Sequence, residues 1–223
     1  SYNLKRLLQP KSIALFGGLW IENVANQIKN SNFKGNVWPI NPHRKSIAGS
    51  RCFQDISDLP GVPDTAFIGV NRTKTLEILT KLNEVGCGGA TCFAAGFSEV
   101  DKYGKQLQKK LSKASKDMPF LGPNCYGYIN YLDHIHMWPD QHGGKEVEKG
   151  VAIIAQSSNI AINLTMNTRS TPIAYVLTTG NQAKIDMSDL GLAMINDKRV
   201  TAIGIYIEGF KDIKKFEKMA FSA

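Results

Sequence analysis

The sequence predicts an α/β chain: a doubly wound parallel sheet followed by part of a second α/β domain. Three observations carry that expectation. Short runs rich in β-branched and aromatic residues alternate with longer segments whose apolar residues recur every three or four positions. The first of those runs ends in Gly17-Gly18, directly before a helical pattern. The alternation lapses once, over residues 131–150, where Pro139, Gly143, Gly144 and several charges show no periodicity, and it then restarts. The expected division is a first domain over 1–130, a linker or excursion over 131–150, and a second domain over 151–223.

The elements follow in order. Residues 12–16 read as the first strand, and about 21–30 as the helix after the glycine turn. A second strand over 36–40 ends at Asn41-Pro42. A third, over 64–70, stops at Asn71, before a helix over 74–85 spaced by Leu76, Leu79 and Leu82. Residues 89–95 form the fourth strand and 118–121 a short fifth. Between them lies a helix with Lys102, Lys105, Lys109, Lys110 and Lys113 on one face, and Tyr103, Leu107, Leu111 and Ala114 as its apolar stripe. After the break come strands over 151–155, 174–178 and 202–207, with helices from 159, over 188–195 and over 213–220. Three such units make half a doubly wound sheet, so the chain is expected to stop inside its second domain. Right-handed crossovers place every loop that follows a strand on one edge, where ligands bind.

Composition narrows the classes. The 223 residues are 43% hydrophobic and 21% charged, as in ordinary globular proteins. No apolar run approaches the roughly 20 residues of a membrane helix, and the first residues lack the apolar core of a signal peptide. Cys52, Cys87, Cys92 and Cys125 show neither metal spacing nor a disulfide framework, which fits a reducing cytoplasm. The net charge of +8 resides largely on the lysine face, and no aromatic residues are interleaved there to stack on bases. Neither nucleic acid nor membrane is an expected partner.

The glycine turn offers free amides and a positive helix end to a phosphate, with Gly17 and Gly18 allowing close approach; a plain structural turn is the alternative. The end of the second strand bears on which ligand. An NAD site wants an acid there. The sequence instead reads Trp38-Pro39-Ile40-Asn41-Pro42-His43-Arg44-Lys45. Asn41, Arg44 and Lys45 therefore favour a ligand with an extra phosphate near its ribose, coenzyme A or NADP, over NAD; a basic surface turn remains the other reading.

Motifs further on separate these ligands. Leu121-Gly122-Pro123-Asn124-Cys125-Tyr126-Gly127 resembles the L-G-P-N-C-x-G loop of the CoA-binding domain in succinyl-CoA synthetases and ADP-forming acyl-CoA synthetases. Pro10-Lys11-Ser12-Ile13-Ala14, the stretch 33–42, Ala95-Gly96-Phe97-Ser98-Glu99, Gln156-Ser157, Gly180-Asn181, Asp189, Asp197, Thr201 and Tyr206-Ile207-Glu208-Gly209 agree in order, across nearly the whole chain. The resemblance implies a Rossmann-like CoA-binding domain followed by a truncated flavodoxin-like domain. It implies an acid–thiol ligase that joins a carboxylic acid to CoA through acyl phosphate and phosphohistidine. CoA is the implied cofactor. ATP, ADP and magnesium are expected only with an ATP-grasp domain or beta subunit, which is the implied partner beside a carboxylic acid or acyl-CoA; the full protein is expected to be a homo-oligomer.

The same resemblance sets Val70, Asn124 and Cys125 beside CoA. Ser157 and Ser158 open a helix as a phosphate cradle, for which plain N-capping is the alternative. Glu208 would support the phosphohistidine ring. The histidine itself would follow in a segment beyond these residues. His43, His134, His136 and His142 all precede it, so this chain alone is expected to bind without turning over. His134 and His136 also share a face as metal ligands would, but no third ligand is evident. Five positions depart from the family pattern: Leu19 and Trp20 in the glycine turn, expected to narrow the pyrophosphate site, Asn71 for Pro, Ser158 for Gly, and Lys184 for Asp. Two other readings remain: a CoA- or acyl-CoA-sensing domain of a protein acetyltransferase, and an NADP-binding domain.

Overall fold

A computed structural model of the chain describes residues 2–167 and 171–223. The first half runs α1 (Lys5–Leu8), β1 (Ser12–Gly17), α2 (Leu19–Asn30), β2 (Asn36–Ile40), the small hairpin β3 (Ser46–Ile47) and β4 (Ser50–Arg51), β5 (Thr65–Gly69), α3 (Arg72–Glu84), β6 (Ala90–Cys92), α4 (Lys102–Ala114) and β7 (Phe120–Leu121). Five strands form one sheet in the order β2-β1-β5-β6-β7, with every pairing parallel. The expected alternation is therefore realised. The direction of sheet growth reverses between β1 and β5, and such a switch point opens a crevice beyond the strand ends.

Side-chain spacing explains the helices. On α2, Ile21, Val24, Ala25 and Ile28 are buried at successive helical positions, each worth roughly 1.5–3 kcal/mol if a full aliphatic side chain is removed from water. Asn71 caps α3, its Oδ1 accepting from the Lys74 amide at 3.0 Å, which accounts for Asn where the resemblance has Pro. On α4 the buried stripe is Gly104, Leu107 and Leu111. Tyr103, expected in that stripe, is 56% exposed and instead lies under the Arg72 guanidinium, 5.1 Å from its ring centre.

The second half runs β8 (Tyr128–Asn130), β9 (Ile135–Met137), β10 (Gly150–Ala155), α5 (Ser158–Thr165), β11 (Ile173–Thr178), α6 (Met187–Ile195), β12 (Val200–Tyr206) and α7 (Ile213–Phe221). Its sheet has the order β12-β10-β11-β8-β9. The expected parallel core, β12-β10-β11, is present, but β8 and β9 extend it antiparallel, making the sheet mixed. This hairpin lies across the expected boundary at residue 130, and β9 falls in the stretch read as irregular. Three-residue strands buried on both faces carry no alternation to detect. Their turn is an Asx turn, Asn130 Oδ1 accepting from the Leu132 and Asp133 amides at 3.0 and 3.1 Å.

The hairpin joins the halves. Tyr128 donates its hydroxyl to the Leu7 carbonyl, and Asn130 Nδ2 donates to the Leu8 carbonyl at 3.0 Å. A single buried cluster runs from Leu7, Ile13 and Ile21 through Tyr128 and Met137 to Ile154 and Leu177. The ligand edges of the two sheets are thus fixed relative to each other. Among the described residues no helix is long and apolar enough to cross a membrane.

Candidate functional site

Two clefts lie on these edges. The first, about 320 Å³, is at the switch point and is lined by Gly17, Gly18, Asn41, Val70, Lys74 and Lys81 among others. Gly17 has φ +144°, and a Cβ there would stand 2.6 Å from the Gly69 carbonyl oxygen, so the ends of β1 and β5 approach this closely only with glycine. Asn41 Nδ2 donates to the Gly17 carbonyl at 2.6 Å, and its Oδ1 accepts from the His43 amide at 2.9 Å. Asn41 therefore ties the second strand end to the glycine turn. Gly18 is the N-cap of α2 without a capping side chain, which leaves amides at the positive end of the helix.

The cations are arranged otherwise than the sequence reading expects. Arg44 pairs with Glu22 at 2.8 Å, Lys45 is exposed, and neither is in this lining. The charged side chains that do line the cleft are Lys74, Glu77 and Lys81 of α3 and Asp55, with which Lys81 pairs at 2.9 Å; His43 lines it as well. Sequence reasoning missed the two lysines because they lie on a helix rather than at a strand end. Leu19 and Trp20, expected to narrow this site, form the first turn of α2, which begins two residues before the expected start. Neither lines the cleft; the Trp20 ring leans instead on Phe93, centroids 4.9 Å apart.

The second cleft, about 460 Å³, lies between the sheets and is lined by Phe93, Asn124, Cys125, Tyr126, Gln156, Ser157, Ser158 and Glu208, with Ala95 and Asn159. Asn124 (φ +58°) follows the cis Gly122–Pro123 bond and is exposed. Its loop is clasped from both sides. The Asn124 amide donates to the Ala94 carbonyl, the Asn181 amide to Pro123 and the Ala183 amide to Gly122, each at 2.9 Å. Thr178 completes the clasp, its Oγ1 accepting from the Gly127 amide at 2.9 Å. Gly180 has φ +51°, and a Cβ there would meet the Pro123 carbonyl at 2.3 Å. The separate motifs at 95–99, 121–127 and 180–181 are therefore one hydrogen-bonded knot.

The two serines make separate contacts. Ser157 Oγ caps α5, accepting from the Ile160 amide at 3.4 Å, and Ser158 Oγ accepts from the Tyr126 amide at 3.2 Å. An accepting hydroxyl keeps its own proton for donation to an anion. Gln156 Oε1 accepts from the Glu208 amide and from the Gly209 amide at 2.8 Å, so the end of β10 holds Glu208 over the cleft. Lys184 points elsewhere, donating to the Ser112 carbonyl at 3.5 Å and to that of Lys116.

Cys125 is 1% exposed, and burial pushes its thiol up to about 12, against weaker lowering by hydrogen bonds at Gly127 and Thr178. At neutral pH it carries no thiolate and is no nucleophile. No histidine is among the residues lining this cleft. Buried His136 packs against His142, ring centres 4.7 Å apart. Among the described residues no group of three or more His, Cys, Asp or Glu side chains is placed to hold a metal ion.

Comparison with known proteins adds the family context. Residues 11–131 match the profile of a CoA-binding domain, and residues 148–223 match that of a succinyl-CoA ligase-like flavodoxin domain. The chain is 32% identical to the ADP-forming acetate–CoA ligase of Methanocaldococcus jannaschii, over 98% of this chain and 31% of that protein. It is 28% identical to a trans-feruloyl-CoA synthase from an unknown prokaryotic organism, over 96% of this chain and 32% of that one. Among solved structures, the Candidatus Korarchaeum cryptofilum dinucleotide-forming acetyl-coenzyme A synthetase 1, in complex with phosphate and ADP, is 29% identical with a TM-score of 0.88, covering 98% of this chain and 48% of that one. The chain thus spans about a third of the length of these two curated relatives.

Proposed function

The chain belongs to the family of CoA-binding domains, and from that premise we propose that it is the CoA-binding portion, with part of the phosphoryl-transfer domain, of an ADP-forming acyl-CoA synthetase. The observation that carries the reading is the second cleft, where Asn124 of the CoA-binding half faces Ser157, Ser158 and Glu208 of the flavodoxin-like half.

In this reading the first cleft takes the nucleotide end of CoA. The amides of Gly17 and Gly18 at the N-terminus of α2 meet its phosphates, and Lys74 adds positive charge on the cleft wall, where Lys81 is already paired with Asp55. Val70 sits beside the arm that leads to the second cleft. There Asn124 orients the thioester carbonyl, and the α5 N-terminus with Ser157 and Ser158 holds phosphate. A phosphate oxygen attacks the carbonyl carbon, the C–S bond breaks, and CoA leaves as its thiolate; the products are acyl phosphate and CoA. Cys125, protonated and turned inward, takes no part as a nucleophile. Glu208 is positioned to receive the N–H of a histidine ring supplied from elsewhere in the full protein, fixing its tautomer for phosphoryl transfer toward ADP. An ATP-grasp domain or beta subunit is the corresponding partner, and the cytoplasm the corresponding compartment.

Calorimetric titration of the chain with CoA, with NADP as control, tests the reading. Micromolar CoA binding without NADP binding is expected. Preference for NADP, or no CoA binding, overturns it.

A further inference from the structure

Much of the chain's positive charge stands outside both clefts, on α4. Lys102, Lys105, Lys109, Lys110 and Lys113 are all exposed, and the helix itself contains no acidic residue. Asp101, just before it, is engaged as its N-cap, Oδ1 accepting from the Gly104 amide at 2.6 Å. Among the described residues no α4 lysine forms a hydrogen bond or an ion pair. Like charges one turn apart, as at 105, 109 and 113, repel and cost the helix stability. The buried stripe of Gly104, Leu107 and Leu111 nevertheless fixes these lysines outward.

This helix is attached to elements that line both clefts. It shares a buried cluster with α3 through Leu79, Leu82, Leu107 and Leu111, and α3 carries Lys74 on the wall of the first cleft. The loop that leads into α4 supplies Phe93 and Ala95 to the second cleft. Further along, Gln108 Oε1 accepts from Asn181 Nδ2 at 2.9 Å, and Ser112 Oγ donates to the Ala183 carbonyl at 3.0 Å. Both partners belong to the turn that clasps the Asn124 loop. Lys184 and Lys211 extend the band there: Lys184 Nζ donates to the Ser112 carbonyl at 3.5 Å, and Lys211 Nζ to that of Lys184 at 2.9 Å. Lysine at 184, where the family resemblance has Asp, thus adds to the positive charge instead of offsetting it.

We propose that this lysine band is an electrostatic entry surface for CoA, which sets the rate of association and makes no contact in the bound state. CoA carries a diphosphate and a phosphomonoester, together about four negative charges near pH 7. A face of the opposite sign beside the clefts raises the local concentration of such a ligand and its association rate. Solvated lysines suit an encounter of this kind, because they attract over about a Debye length, about 8–10 Å, and hold nothing in one geometry. This inference rests on the reading of the chain as a CoA-binding synthetase portion.

The test is stopped-flow association of CoA with the chain at about 20 and about 200 mM salt. The expected result is that kon falls about fivefold or more between the two, while koff changes less than about twofold. Lys105→Gln, Lys109→Gln and Lys113→Gln together should lower kon at low salt by about threefold or more, with koff nearly unchanged. Gln is a good helix former and relieves the repulsion, so the melting temperature should not fall. Lys5→Gln, Lys34→Gln and Lys198→Gln together remove the same charge from exposed positions before β1, β2 and β12, at the edge away from the clefts. That variant should change kon by less than about 1.5-fold. A kon that ignores salt, or that the α4 variant leaves unchanged, overturns the proposal. So does a loss carried by koff, which would make the lysines contacts in the bound state, and so does equal slowing by both variants, which would assign the effect to net charge. If CoA does not bind the unsubstituted chain, the underlying reading fails and takes this inference with it.

Discussion

The carboxylate of Glu99 accepts a hydrogen bond from Asn181 Nδ2 at 2.5 Å across 82 residues of sequence, while also accepting from the amides of Gly96 at 2.6 Å and Phe97 at 3.2 Å. One side chain thus closes the loop after β6 and pins the 180–183 turn, which in turn clasps the loop bearing Asn124. Burial raises the Glu99 carboxyl, but hydrogen bonds from Asn181 and the loop amides outweigh it and leave the pKa lowered. A carboxylate depressed in the folded state contributes stability above its unfolded pKa and loses it as pH falls through the folded value. Glu99→Gln should cost about 0.5–1.5 kcal/mol at pH 7, discounted for its exposure. The difference from the unsubstituted chain should shrink below about pH 4. Urea denaturation at both pH values checks this, and an undiminished difference at low pH would exclude the carboxylate as its source.

Gly17→Ala should be more severe. The new Cβ meets the Gly69 carbonyl at 2.6 Å in a backbone region (φ +144°) that L residues rarely adopt, so strain and overpacking add to at least about 2 kcal/mol. Thermal unfolding reads the loss, and a melting temperature within a degree or so of the parent would contradict the geometry.

Lys74→Ala should weaken CoA binding several-fold without changing stability by more than about 0.5 kcal/mol, because the side chain is exposed on the cleft wall. Its effect should fade as salt is raised toward about 0.5 M, as screening removes the same interaction. Titrations at low and high salt check both statements; Arg44→Ala, whose guanidinium pairs with Glu22, should have the smaller effect.

His136 should make the fold acid-sensitive. Burial, and then the neighbouring His142 and His134, lower its pKa to about 3. Between that value and the ordinary one near 6.5, the unfolded chain binds a proton that the folded chain does not. Stability therefore falls as pH falls below about 6.5, by up to about 1.4 kcal/mol per pH unit from this group. His136→Gln should flatten that dependence between about pH 6.5 and 4.5. Equal slopes in the two proteins would show that His136 is not the group responsible.

The sequence by itself determined the alternation of strands and helices, the edge that carries both clefts, the glycine turn and the loop around Asn124. Each of these depends on local signals: period in apolar residues, glycine where the backbone must turn or approach, a capping residue before a helix. Reading Asn71 as the stop of β5 and Ser157 or Ser158 as caps of α5 needed nothing beyond the chain's own neighbours. The tertiary structure decided what depends on residues far apart. It alone brought Lys74, Glu77 and Lys81 of α3 to the first cleft and turned Arg44 onto Glu22, because a helix face is oriented by packing and an exposed arginine by the nearest carboxylate. It alone recruited β8 and β9 into the second sheet, because strands of three residues are specified by the edge they pair with. It also turned Trp20 away from the glycine turn and onto Phe93, a contact set by how α2 docks on the sheet, which no spacing along the chain records.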